Sequence, residues 1–179
     1  MLRHVWVILS ILRLDGNSSN LAFEKPSTIS TMLRATTTAS RAVDGNNETR
    51  LKFCAATTQD DMEPWWMVDL HGYFHIHDVT ITTINGWFLH SFSIDVFTEN
   101  PIGCARATSV QCYNRTDPLG QSETKQFRCH SPVIGPIIRV KMWKMLNTMD
   151  ILFLCEVQVF GTRATGCLVG WMGFGCVDT

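Results

Sequence analysis

One turn carries a carboxylate that could hold a hard cation. Asp44-Gly45-Asn46 reads as a turn whose aspartate offers a carboxylate while neighbouring carbonyls point inward, an all-oxygen donor set that suits calcium. Glu156, beside Cys155, is another carboxylate in the chain. The same residues allow a plainer reading, in which Asp44 caps the turn and Glu156 faces water on a strand. His75 and His77 alternate in Phe74-His75-Ile76-His77 and so share a strand face, as a transition-metal pair would. No third ligand can be named for them, and a solvent-facing alternation is expected. No serine or cysteine has a base in sequence context and the acidic residues are scattered among turns, so catalysis is not expected.

The elements that must position these groups read as strands. Val79-Thr80-Ile81-Thr82, Phe92-Ser93-Ile94-Asp95-Val96, Ile138-Arg139-Val140-Lys141-Met142 and Cys155-Glu156-Val157-Gln158-Val159 alternate apolar with polar residues, each placing one face in a core and the other in water. Turn-rich stretches such as Asn85-Gly86, Glu99-Asn100-Pro101 and Asp117-Pro118-Leu119-Gly120 separate them, and no segment sustains a helical period. Pro64-Trp65-Trp66-Met67-Val68-Asp69-Leu70 adds two tryptophans, both expected in the core, at the entry to another strand. An antiparallel all-β sandwich follows.

The 179 residues, 45% of them hydrophobic, suffice for one domain with short extensions. A formal charge of −1 without a basic stripe excludes nucleic acid as an expected partner. Basic Met1-Leu2-Arg3-His4 followed by apolar Val5 to Leu12 reads as a signal peptide over residues 1–16, cleaved between Leu14 and Asn20; the run is too short to span a bilayer, and an amphipathic first segment is the alternative. Seven cysteines with no CxxC pair point to disulfides in an extracellular setting. Sequons at Asn17, Asn47 and Asn114 agree with secretion, the first being lost if it goes with the signal. Residues 162–166 read as a polar linker, and Cys167 to Cys176 as a glycine-rich loop closed by a Cys167–Cys176 disulfide, similar to the last loop of an EGF-like module or simply a Gly-rich disulfide tail.

Residues 17–161 read as one domain, and its segment from Asn20 to Gly161 resembles the F-type lectin family, the fucolectins related to eel agglutinin and tachylectin. The resemblance rests on Asn20-Leu21-Ala22-Phe23-Glu24-Lys25-Pro26, Ala42-Val43-Asp44-Gly45-Asn46, Cys54, Pro64 to Leu70, Val79-Thr80-Ile81 and Leu154 to Gly161 in that order and spacing. It implies a discoidin-type jelly-roll β-sandwich with disulfides Cys54–Cys155 and Cys112–Cys129, leaving Cys104 unpaired. It also implies structural calcium held by the side chains of Asp44 and Glu156 and by backbone oxygens of Arg41, Asn46, Phe53 and Cys155.

The family binds fucose with a histidine and two arginines, the first arginine followed by an aspartate and a vicinal cysteine pair. Here Ala55-Ala56-Thr57 stands at the histidine, Ile84 at the first arginine, Gly86 at the aspartate, and Trp87-Phe88-Leu89-His90 in a shortened loop replaces the rest, the second arginine falling at Phe88. Hydrogen bonds to charged groups contribute roughly 1.5–3 kcal/mol each, so three losses remove ordinary fucose affinity. Trp87 and Phe88 sit at a loop tip, where aromatics stack on sugars or anchor proteins; packing down over the mouth of the sandwich is the expected arrangement. His90 could donate to a ligand, but is expected solvated opposite core-facing Leu89. The combined expectation is a secreted, calcium-stabilised lectin-like domain of glycan recognition, with fucose specificity altered or lost and a role in recognising self or microbes. The alternative is a protein-binding adhesion or scavenger-receptor module carried on EGF-like repeats.

Overall fold

The computed structural model describes residues 19–104, 106–143 and 150–165. The expected signal peptide, the Asn17 sequon and the Cys167–Cys176 loop lie outside these residues. Within them the chain forms strands β1 (Ser27–Ile29), β2 (Ala55–Ala56), β3 (Trp65–Thr82), β4 (Phe92–Phe97), β5 (Ser109–Arg115), β6 (Thr124–Met142), β7 (Phe153–Leu154) and β8 (Glu156–Arg163), with single 3-10 turns at Ala39–Ala42 and Leu51–Phe53. All pairings are antiparallel, as the alternating segments predict.

Two long strands organise the sandwich. β3 and β6 pair from Trp65↔Lys141 to Thr82↔Thr124, with register shifts between Asp69 and Phe74 and between Ile76 and Asp78. β1 borders the first part of β3 and β8 its second part, while β4 and then β5 extend the sheet beyond β6. His71 takes a φ of 57° at the first shift, so the strand bends there. The irregularity around His77 then reverses the alternation: Ile76 faces the core, and so do Val79 and Ile81. Strands that bend and bulge in this way carry one chain from one layer to the other.

A single large cluster fills the interior. Trp66, Val68 and Leu70 of β3 meet Phe92, Ile94 and Val96 of β4, Ile138 and Val140 of β6 and Val157 and Val159 of β8. The Trp66 indole N–H donates to the Ala39 carbonyl at 2.9 Å, so the buried ring leaves no orphan donor. Trp65 corrects the expectation for the tryptophan pair: successive strand residues point to opposite faces, and Trp65 packs half-buried on the outer face beside Met67, Phe97 and Ile137. β4 also departs from the core-and-water pattern, since Ser93 and Asp95 are buried as well. Asp95 accepts from Ser93 Oγ at 3.0 Å and from the Arg139 guanidinium at 3.1 Å, which satisfies the buried charge.

Disulfides Cys54–Cys155 and Cys112–Cys129 both form, as the resemblance implied, and close loops with sequence separations of 101 and 17. The first joins the Leu51–Phe53 turn to the entry of β8. Asn20 ties the other end of the domain to β8, its Oδ1 accepting the Ala22 and Val159 N–H groups, both at 3.0 Å. β8 runs on to Arg163, past the expected domain boundary at Gly161, because Phe74 and His75 still offer partners to Arg163 and Thr162.

Candidate functional site

Two of the predicted cation ligands, Asp44 and Glu156, come together from distant parts of the chain. Arg41 closes into the turn Ala39–Ala42 and Phe53 ends the turn Leu51–Phe53, while Asn46 follows Gly45 and Cys155 precedes β8. Gly45 has a φ of +77°, a conformation that L side chains rarely adopt, and this aims its N–H at Glu156 Oε2, 3.2 Å away. The Asp44 carboxylate thereby comes to lie close to Glu156. Asp44 Oδ1 accepts the Asn46 N–H at 3.0 Å, and Oδ2 lies 3.5 Å from the Arg41 guanidinium.

Glu156 is 1% exposed, and its Oε1 has no hydrogen-bond partner among the described residues. Burial pushes its carboxyl up from 4.5 to about 7; the Gly45 N–H opposes this rise and the charge of Asp44 adds to it. A buried carboxylate oxygen without a partner, beside a second carboxylate, is the environment that a bound cation relieves. Among the described residues no group of three His, Cys, Asp or Glu side chains surrounds a common point, so further ligands there would be backbone, amide or hydroxyl oxygens or water. His75 and His77 lie on β3 without a third metal-ligating partner among the described residues, and both are half-buried.

The positions expected to carry sugar ligands divide into two groups. Ala56 and Ile84 are buried in a small apolar cluster with Cys54, Phe153 and Cys155. Thr57 is buried too, and its hydroxyl accepts the Leu152 N–H at 3.0 Å, so it is committed to the fold. The aromatics at the loop tip remain in solvent: Trp87 is 51% and Phe88 54% exposed. Trp87 packs against Phe153 in a tilted contact, with ring centroids 5.5 Å apart. The expected packing of both rings over the mouth is thus met only in part, by Trp87. His90 is not solvated: it lies 3.1 Å from Asp150, with a buried Nδ1 that lacks a partner among the described residues. Leu89 does face the core.

Of these residues, Ile84, Trp87 and Phe153 border a cleft of about 400 Å³. Leu33, Leu51, Ile84, Ile151 and Phe153 give it an apolar lining, and Arg34, Thr49, Arg50, Asn85 and Trp87 complete the wall. The Asn85 N–H donates to the Thr49 carbonyl at 2.9 Å, which pins the aromatic loop to the segment opposite. Sequence reasoning placed Trp87 here but missed Arg34 and Arg50. Neither carries a local signal, because only the tertiary fold brings residues 33–34, 49–51, 84–87 and 151–153 together. The sequon asparagines Asn47 and Asn114 are both exposed. Cys104, which stayed unpaired in the expected scheme, is a free thiol 3.2 Å from Glu99 Oε2.

Residues 41–140 match the family model of the NedA-like, galactose-binding domain. Fucolectin-4 of Anguilla japonica is 31% identical over 145 residues, which cover 78% of each chain. Among solved structures, a fucolectin from the serum of Morone saxatilis, the striped bass, superimposes with a TM-score of 0.71 at 25% identity over 82% of this chain. The match spans half of that longer lectin. The lectin domain of Lectinolysin, solved with the Lewis B antigen, aligns with a TM-score of 0.67 at 21% identity over 81% of this chain and 98% of its own, and shows the same fold. The jelly-roll sandwich expected from the sequence is therefore the fold of this chain.

Proposed function

The chain belongs to the fucolectin family, and from that premise we propose that it is a carbohydrate-binding domain, not an enzyme, whose glycan site is the cleft beside Trp87. The observation that carries this reading is Trp87 itself. Its indole makes a tilted contact with Phe153 yet stays half in solvent at the edge of an apolar cleft, where an aromatic ring can stack on a sugar. Relatives named as fucolectins, and a lectin domain solved with Lewis B antigen, support a glycan as the ligand class.

Fucose recognition in its family form is lost in this reading. Ala56 and Ile84 fill the inherited polar positions with apolar atoms that donate no hydrogen bond, and Thr57 has spent its hydroxyl on the backbone. Specificity then passes to the residues that line the cleft in their place. A glycan array tests the proposal: retention of glycans by the folded protein is expected, and silence across the array overturns it.

Calcium belongs to the same proposal. Asp44 and Glu156 would hold it with carboxylate oxygens, and Arg41, Asn46, Phe53 and Cys155 with backbone oxygens. The orphaned Glu156 Oε1 supports the fit. A cation there would neutralise two adjacent carboxylates and fasten the Asp44 turn to β8, a structural role. The Arg41 guanidinium near Asp44 supplies part of that neutralisation when the metal is absent.

Secretion is the matching location, supported by the two disulfides. No helix among the described residues is long and apolar enough to cross a membrane. The exposed Phe88 ring favours a second reading, a protein partner seated on the loop tips, which an adhesion module on EGF-like repeats would use.

A further inference from the structure

Arg34 is the cation that the cleft leaves unengaged. Its backbone is fixed from both sides by Thr37, whose buried hydroxyl accepts the Arg34 N–H at 3.0 Å and donates to the Arg34 carbonyl at 3.0 Å. The preceding Leu33 N–H donates to the Ala56 carbonyl at 2.9 Å, which locks the segment to β2. The Arg34 guanidinium itself meets no carboxylate or other hydrogen-bond partner among the described residues. Arg50 contrasts with it: Nε and Nη2 both reach Glu48 Oε2 at 3.0 Å, so the two neutralise one another and Glu48 does not compete for Arg34.

We propose that the cleft takes a terminal sugar bearing a carboxylate, with Arg34 as its anion grip and Trp87 as its stacking wall. The proposal rests on the glycan reading above and adds the ligand's charge. An arginine fork matches a carboxylate with two parallel N–H donors, a geometry that a neutral hydroxyl cannot complete. A neutral sugar would cover the apolar lining yet leave the guanidinium partly desolvated and unpaired. An acidic sugar completes both demands, and this difference is the source of discrimination. In the same cleft, the Asn85 side-chain amide makes no hydrogen bond among the described residues and can pair with ring hydroxyls. The chain's net charge of −1 gives no general attraction for anions, so selectivity has to come from this local cation.

The test is an array of matched glycan pairs, sialic-acid-terminated or glucuronate-terminated against their neutral counterparts, with sulfated glycans as a third arm. Affinity for the best carboxylated hit is then measured for the wild type, Arg34→Gln, Arg34→Lys and Trp87→Ala. Carboxylated glycans should dominate, binding should weaken with added salt, and Arg34→Gln should lose roughly tenfold to a hundredfold in Kd. Arg34→Lys should recover part of that loss, because charge remains while the fork is gone. Urea unfolding should be unchanged in Arg34→Gln, whose side chain is exposed. Preference for neutral or sulfated glycans, or an unchanged Kd in Arg34→Gln, overturns the carboxylate assignment and leaves the glycan reading intact. Failure of the folded protein to bind any arm overturns the glycan reading and this proposal with it.

Discussion

The Gly45 N–H donates to Glu156 Oε2 at 3.2 Å, joining a turn near the start of the domain to its last strand. The bond exists because Gly45 adopts a φ of +77° while the Phe23 ring covers the position a side chain would occupy. A Cβ there would lie 2.8 Å from Phe23 Cε2. Gly45→Ala should therefore destabilise the fold by about 1–3 kcal/mol through backbone strain and displacement of the ring. Urea unfolding measures this; a midpoint equal to the wild type's would mean that the turn relaxes freely.

Calcium-free protein should carry the cost of ionising Glu156. Burial raises the carboxyl from 4.5 to about 7, so the folded chain holds this proton more tightly than the unfolded chain does. The resulting stabilisation is complete below pH 4.5 and is lost as pH rises through about 7. In chelator, melting temperature should fall between about pH 5 and pH 8, and Glu156→Gln should flatten that slope. An equal slope in the variant would assign the pH dependence to other groups.

Added calcium should reverse the penalty. At a free concentration a hundred times its Kd, a ligand that binds only the folded state contributes about 2.7 kcal/mol. The melting temperature at neutral pH should rise with calcium and fall back in chelator, and Asp44→Asn should shrink the rise. A melting temperature indifferent to saturating calcium removes the metal from the account.

Cys54 and Cys155 are both fully buried and constrain a sequence separation of 101 residues. Replacing both with serine should cost about 2–5 kcal/mol and loosen the Leu51–Phe53 turn that borders the cleft. Differential scanning calorimetry of the double variant checks this; a loss below about 1 kcal/mol would show that the apolar cluster around Phe153 holds the two segments unaided.

Much of this framework was legible in the chain, for a physical reason. Strands whose apolar and polar residues alternate announce themselves in the sequence, which is why β4 and β8 and the ends of β3 and β6 could be found, even though β4 buries both of its faces. β5 escaped because it lies at the sheet edge: its core contact is Cys112, while Val110 points into solvent. The start of β6 is similarly disguised, with Phe127 and Cys129 turned inward among Lys125, Gln126 and Arg128. His77 marks a limit of period-based reading, because the irregularity there exchanges the faces. For the site, the Asp44 turn and Glu156 could be picked out by residue type and resemblance. Arg34, Arg50 and the Asp150 partner of His90 could not, since tertiary packing alone brings them into place.

The glycan reading turns on Trp87, and the indole N–H resonances of the folded protein report on it most directly. Titration with a glycan retained on the array should shift the Trp87 signal while that of Trp66, bonded to the Ala39 carbonyl inside the core, stays in place. Trp87→Ala should abolish binding and keep the protein folded, since half of that side chain is already in water. Glycan binding that leaves the Trp87 signal unmoved, or that survives its removal, would contradict the assignment of the cleft.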